Sequence, residues 1–208
     1  MKTSIIEQKE VRELVSNSLK NAMTYPEYRE LIDDLARDGS TTGDLANEEL
    51  AEFTKLNARR FKRWEKTLDL NIFEEEIRNL PAVNMSWLVI TESWCGDAAH
   101  LMPVMKALAD QLNEVELSVV LRDENPELMD EFLTEGTRAI PKLIAMDNDS
   151  GAVKFLYGPR PSVVTEMANK FKAEHGKLSP EFKEDLQRWY NKDKGLTTMN
   201  DLVTLLKR

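Results

Sequence analysis

A change of periodicity near Pro81 constrains this fold more than any other feature of the sequence. Beyond it, short apolar runs alternate with segments of helical spacing. Trp87–Thr91 (Trp-Leu-Val-Ile-Thr) is continuous and apolar, as a strand buried on both faces would be. Ala98–Leu112 has helical spacing, and Leu117–Leu121 reads as a second strand. Asn125 and Pro126 open a helix predicted to reach about Thr134, before Gly136. Lys142–Met146 and Val153–Tyr157 are two further strands joined by the turn Asp147–Gly151. Pro161–His175 is a helix ended by Gly176. The order β-α-β-α-β-β-α implies a parallel section plus a terminal hairpin: an α/β fold with a mixed sheet flanked by helices.

Residues 1–80 read as a helical extension packed on this unit, 81–176 as the main domain, and 177–208 as a helical tail. In the extension, Glu7–Met23 is a polar helix. Thr24 caps the next helix, Pro26 suits its first turn and Gly39 stops it. A longer helix runs from about Asn47 to Leu68 with the stripe Leu50, Phe53, Asn57, Phe61, Trp64, Leu68. In the tail, one further helix carries Phe182, Leu186, Trp189 and Tyr190, followed by Leu202, Val203, Leu205 and Leu206.

The chain is acidic, with 28 Lys and Arg against 37 Asp and Glu, a net charge of −9. That balance argues against nucleic acid as a partner, because neutralising phosphates takes surplus basic side chains. The N-terminus MKTSIIEQKEVREL lacks an apolar leader and no apolar stretch has membrane length. The expectation is a cytoplasmic protein with no membrane partner. There is one cysteine, Cys95, so an intrachain disulfide, an internal redox dithiol and a Cys-rich zinc site are all excluded.

Cys95 lies between the first strand and first helix of the main unit, in Thr91-Glu-Ser-Trp-Cys-Gly-Asp-Ala-Ala-His100. A thiol at a helix N-terminus meets free N–H groups and the positive end of the dipole, which favour thiolate. Asp97, two residues on, opposes this. The spacing leaves the outcome open, and the location predicts an exposed or half-exposed thiol.

Trp94-Cys95-Gly96, Pro103, Ile140-Pro141 just before a strand, and Gly158 after the last strand together resemble the thioredoxin superfamily over about Ile72 to His175. Tyr25-x-x-Tyr28-Arg29, Thr41-Thr42-Gly43, Thr54-x-Leu56-Asn57-x-x-Arg60 and Trp-Cys-Gly-Asp resemble a bacterial thioredoxin-like group with a helical N-terminal extension. The resemblance implies a cis bond before Pro141. It also implies a substrate groove shaped by Trp94, Gly96, Ile140, Pro141 and Gly158, open to an extended chain as an added strand. Three departures are plain. The position of the second thioredoxin cysteine is Ala98, that of its buried acid is Val89, and Asp97 stands where thioredoxin has proline.

Three mechanisms follow. Cys95 exchanges disulfides alone, with a client protein or low-molecular-weight thiol as partner and an external thiol resolving it. Or it senses peroxide, although peroxiredoxins carry Thr or Ser where Glu92 stands. Or the fold is a non-catalytic peptide-binding module. Asp97 is either a dipole-favoured residue or a proton-transfer group beside Cys95. Asp97 and His100 are expected to pair at the surface. Cys95, Asp97 and His100 diverge around a helix, so no metal and no other cofactor is expected. The basic cluster Lys55, Arg59, Arg60, Lys62, Arg63 and Lys66 reads as a solvated face paired with Glu74, Glu75 and Glu76. Within it, Asn57 and Arg60 could bind a carboxylate of the substrate if their helix packs beside Cys95.

Overall fold

The computed structural model describes residues 5–208. Met1–Ser4, the start of the segment read above as leaderless, lie outside the described residues. Five strands build one mixed sheet: β1 (Met23–Thr24), β2 (Asn84–Thr91), β3 (Glu114–Leu121), β4 (Lys142–Asp147) and β5 (Val153–Tyr157). Their spatial order is β1-β3-β2-β4-β5. β2 runs parallel to β3, from Asn84 opposite Glu114 to Thr91 opposite Leu121, and antiparallel to β4. β4 and β5 form the terminal hairpin. Trp87, Leu88, Val89 and Ile90 are all 0% exposed, so both faces of β2 are covered along this stretch. The strand starts three residues earlier than its apolar run. Asn84, Met85 and Ser86 pair with β3 although Asn84 and Ser86 are only half-buried, and polar residues there break the hydrophobic signal.

The extension contains more than helix. α1 (Ile5–Lys20) stops short of Met23, and Met23 and Thr24 instead pair antiparallel with Val119 and Ser118 at the edge of the sheet. Thr24 also caps α2 (Tyr25–Asp38), in a capping box with Glu27. An N-cap needs extended backbone, so one residue serves both the edge strand and the cap. Gly39 ends α2 at φ +65°.

α3 (Glu48–Thr67) is capped by Asn47, whose side chain accepts from the Leu50 N–H. Its buried face is Ala51, Thr54, Asn57, Ala58, Phe61 and Trp64. The predicted stripe is therefore turned: Phe53 is 43% exposed. Small Ala and Thr side chains let α3 approach α5 (Ala98–Ala109) closely, which a periodicity count based on bulky residues misses. A 3-10 turn, Asn71–Phe73, and the short α4 (Glu74–Arg78) lead into β2. α5 is buried continuously from Ala98 to Met105 and carries Pro103 inside it.

α6 (Pro126–Glu131) ends before the predicted Thr134, which instead bridges to Thr137. After α7 (Ser162–His175), the tail forms two helices rather than one: α8 (Pro180–Asp193) and α9 (Leu196–Leu206). Lys194 and Gly195, at φ 55° and 79°, break the chain between them. α9 packs on α5, and its Asp201 accepts from the Tyr157 hydroxyl and the Ser162 N–H. Among the described residues no helix is long and apolar enough to cross a membrane.

Candidate functional site

Cys95 sits in the turn between β2 and α5. Its N–H donates to the Glu92 carbonyl at 3.1 Å, and its carbonyl accepts from Ala99 at 3.3 Å, so the chain enters the helix directly after the thiol. The side chain points inward. Cys95 is 6% exposed, and its S–H donates to the Ile140 carbonyl at 3.4 Å. The Ile140–Pro141 bond is cis. Gly158 closes this corner at φ +99°; a β-carbon there would run into the Pro141 carbonyl oxygen, so the position needs glycine. Burial pushes the Cys95 thiol up to about 12, Asp97 adds to the shift, and the N–H groups of Ala98 and Asp97 with Arg160 oppose it. Desolvation and a neighbouring carboxylate together outweigh the helix terminus.

On the far side of the thiol, Asp97 turns toward the tail. Its Oδ1 accepts from the Tyr190 hydroxyl at 2.9 Å, and Arg160 Nε lies 2.9 Å from its Oδ2, an ion-pair contact rather than an aligned hydrogen bond. Burial raises the Asp97 carboxyl above its ordinary value, while Arg160 holds it down. His100 stacks flat on Tyr190 with ring centroids 4.3 Å apart. Its Nδ1 accepts from Trp64 Nε1 at 2.9 Å, and Nε2 meets Gln187 Oε1 at 2.8 Å. Because an amide oxygen only accepts, the proton is on Nε2. Burial lowers His100 to about 4, so the ring is neutral.

On the near side, Glu92 and Ser93 are tied to the extension. Glu92 accepts from the Thr42 hydroxyl and, at 2.9 Å, from the Asp123 N–H. Ser93 Oγ is 2.8 Å from Thr54 Oγ1 and accepts from the Thr42 N–H at 3.0 Å. The Ser93 carbonyl accepts from Asn57 Nδ2 at 2.9 Å, and the Glu92 carbonyl from the Tyr28 hydroxyl at 3.2 Å. Gly43 sits at φ +95° with no room for a side chain beside Asp123 and Trp94. Burial raises the Glu92 carboxyl as well.

Several expectations need correction. The thiol is buried rather than half-exposed, because Ile140 closes over it. Asp97 and His100 do not pair at the surface; both turn inward to separate partners on α3, α8 and Arg160. The basic cluster does not pair with Glu74, Glu75 or Glu76: Lys55 meets Glu52, Lys62 meets Asp33, and Glu74 meets Arg78. Asn57 is 0% exposed and spends its amide on Ser93 and its oxygen on Arg60, so no ligand can reach it.

Arg60 reaches over Gly96, where a β-carbon would stand 3.3 Å from its Nη1. Trp94 is half-buried, with Arg122 over its ring at 5.0 Å. Trp94, Gly96, Arg60, Gly158 and Arg160 thus form a partly exposed rim around a buried sulfur. Sequence reasoning missed Arg160 and took Tyr190 for an apolar residue. The signal for Tyr190 was its hydroxyl, which a buried tyrosine must satisfy. Among the described residues no three His, Cys, Asp or Glu side chains come together as a metal site.

A family model described as thioredoxin matches residues 43–173, so the matched region begins before α3 and takes in the whole helix. No curated protein matches the chain. Among solved structures, it is similar to a protein of unknown function from Pseudomonas aeruginosa, at 15% identity and TM-score 0.56, covering 73% of this chain and 84% of the other. It is also similar to an HIV epitope scaffold, at 14% identity and TM-score 0.54, covering 88% and 97%. At these identities the likeness concerns the fold alone.

Proposed function

Because the chain belongs to the thioredoxin family, we propose that it works through the Cys95–Pro141 face as a peptide- or protein-binding module whose lone thiol is a buried hydrogen-bond donor rather than a turnover nucleophile. The observation that carries this reading is the sulfur's position, 6% exposed with its proton on the Ile140 carbonyl. No second cysteine exists to release a mixed disulfide. Trp94, Gly96, Ile140, Pro141 and Gly158 shape the surface a bound chain would meet, and Arg60 borders it.

A rate argument supports the same reading. With the thiol pushed up from 9.0 to about 12, the thiolate fraction at pH 7 falls roughly 1,000-fold below that of a free thiol. The greater nucleophilicity of a more basic sulfur returns roughly 15- to 30-fold. Exchange from the resting state is therefore slower than for free cysteine by roughly 30- to 60-fold.

Monothiol exchange is the second reading, and one observation favours it: the Asp97 and Ala98 N–H groups face the sulfur. In that reading a rearrangement exposes Cys95 and Asp97 takes its proton. The thiolate attacks one sulfur of an external disulfide, forms a mixed disulfide and releases the other sulfur as thiolate. An external thiolate then resolves the mixed disulfide and restores Cys95. No observation favours peroxide sensing. A reducing, cytoplasmic setting and membership of the bacterial Trp-Cys-Gly-Asp group belong to this proposal too.

The test is the rate of Cys95 alkylation by iodoacetamide against pH, read by mass spectrometry, with insulin reduction measured beside it. The binding reading expects alkylation at pH 7 at least roughly 30-fold slower than free cysteine and equal reductase activity in wild type and Cys95→Ser. Alkylation as fast as free cysteine, with reductase activity lost in Cys95→Ser, would overturn it in favour of exchange.

A further inference from the structure

On the other side of Gly96, between α3 and α8, lies a pocket of about 320 Å³. Arg59, Arg60 and Arg63 line it from α3, Gln187 and Asn191 from α8, with His100 also in its wall. The molecule is acidic overall, at −9, yet this lining holds three guanidinium groups and no carboxylate. Two other cations of the same helix are neutralised, Lys55 by Glu52 and Lys62 by Asp33. Among the described residues, Arg59, Arg60 and Arg63 make no ion pair within 4.0 Å. Asp97 is close enough to favour the Arg60 charge but is already held by Arg160 and Tyr190. Burial, and then Arg63, disfavour that charge more.

The acceptors of the pocket are already used. Asn57 Oδ1 accepts from Arg60 at 2.9 Å, Asn191 Oδ1 from Arg63 at 2.5 Å, and Gln187 Oε1 from His100. His100 Nδ1 accepts from Trp64. The remaining side-chain polar groups are donors: guanidinium N–H groups and the amide nitrogens of Gln187 and Asn191. A wall of donors with surplus positive charge and no internal counter-ion is matched by a group that only accepts and is negatively charged.

We propose that this pocket binds a small oxyanion, a phosphate or a dicarboxylate, in the fork of Arg59, Arg60 and Arg63. Guanidinium groups take either one through paired N–H donors. The volume suits a ligand of small-molecule size rather than a polymer. Asn57 positions Arg60, and His100 positions Gln187, without touching the ligand. The site does not depend on the role of Cys95.

The experiment is isothermal titration calorimetry of the full chain with inorganic phosphate and with succinate, at ionic strength held constant with sodium chloride. Saturable binding of at least one is expected, and the tighter of the two identifies the source of the oxyanion. Arg63→Gln, which changes an exposed side chain, should weaken it about tenfold or more, as should Arg60→Gln. Lys66→Gln, on the same helix but outside the pocket, should leave it within about twofold. No binding of either anion beyond the chloride control overturns the proposal. So does an equal loss in Lys66→Gln and Arg63→Gln, which would mean general surface attraction.

Discussion

Glu92 lies three residues before Cys95 and Asp97 two after it, and burial pushes both carboxyl groups up. Their surroundings differ. Glu92 is satisfied by a hydroxyl and a backbone N–H, from Thr42 and Asp123, beside Ser and Asn groups and the Arg122–Asp123 ion pair, with no cation among the described residues bonded to it directly. Asp97 is satisfied by an ion pair with Arg160 and by Tyr190, beside the donor-rich pocket. Glu92 acts away from the sulfur and fastens the extension to the strand end. Asp97 acts on the sulfur, where it is the second cause of the raised thiol after burial. Sequence distance from a cysteine therefore does not tell which acid tunes it. The direction in which the backbone turns on either side of the thiol does.

The strongest way to break this contrast is to remove the fastening. Glu92→Ala leaves the Thr42 hydroxyl and the Asp123 N–H without their acceptor, and bonds to a charged group contribute about 1.5–3 kcal/mol each. Urea denaturation should show a loss of about 3 kcal/mol or more. A loss below about 1 kcal/mol would mean that Glu92 does not hold the extension. On the Asp97 side, Tyr190→Phe keeps the stack on His100 and removes only the hydroxyl. Arg160 remains beside Asp97, so a smaller loss of about 2 kcal/mol is expected.

Much of this contrast was hidden in the sequence, while most of the fold was not. The apolar runs Trp87–Thr91 and Leu117–Leu121 and the turn at Asp147–Gly151 are strong local signals, and the mixed sheet follows from them. Thr24 and Pro26 gave the start of α2, and the structure adds Glu27 as the second half of its cap. Met23–Thr24 could not be read as a strand, because two residues have no period and the pairing with Val119 and Ser118 is made at long range. At the site, Cys95 and its flanks were legible because the chemistry is contiguous. Arg160 and Tyr190 were not, since they reach Asp97 from far along the chain. Arg63 showed as part of a basic run, but only the position of α8 turns that run into the wall of a pocket.

A pH experiment tests the thiol itself. Its folded value, about 12, lies above the reference value of 9.0, so the folded state keeps a proton that the unfolded chain releases. This contribution to stability is present below pH 9.0 and is lost as pH rises toward the folded value. Relative to Cys95→Ser, the wild type should lose about 1.4 kcal/mol per pH unit above that point. Parallel stability curves for the two proteins between pH 9.0 and about 11 would show that the thiol is not held protonated by the fold.

The smallest expected effect discriminates best between the two acids. Asp97→Asn removes the negative charge beside the sulfur and leaves the burial, so the Cys95 value should fall from about 12 while staying above that of a free thiol. Alkylation at pH 8 should quicken severalfold, by about a factor of ten at most. Glu92→Gln should change the rate far less, because Glu92 is not among the largest causes of the thiol's shift. Asp97→Asn could also speed alkylation by loosening the helix start. Loosening would raise the rate equally at every pH, whereas a lost charge moves the midpoint of the pH profile downward. A moved midpoint in Asp97→Asn and an unmoved one in Glu92→Gln would assign the tuning of Cys95 to the acid that follows it. Equal shifts in both would mean that the sulfur senses the total buried charge, and the two sides of Cys95 would then be electrostatically equivalent.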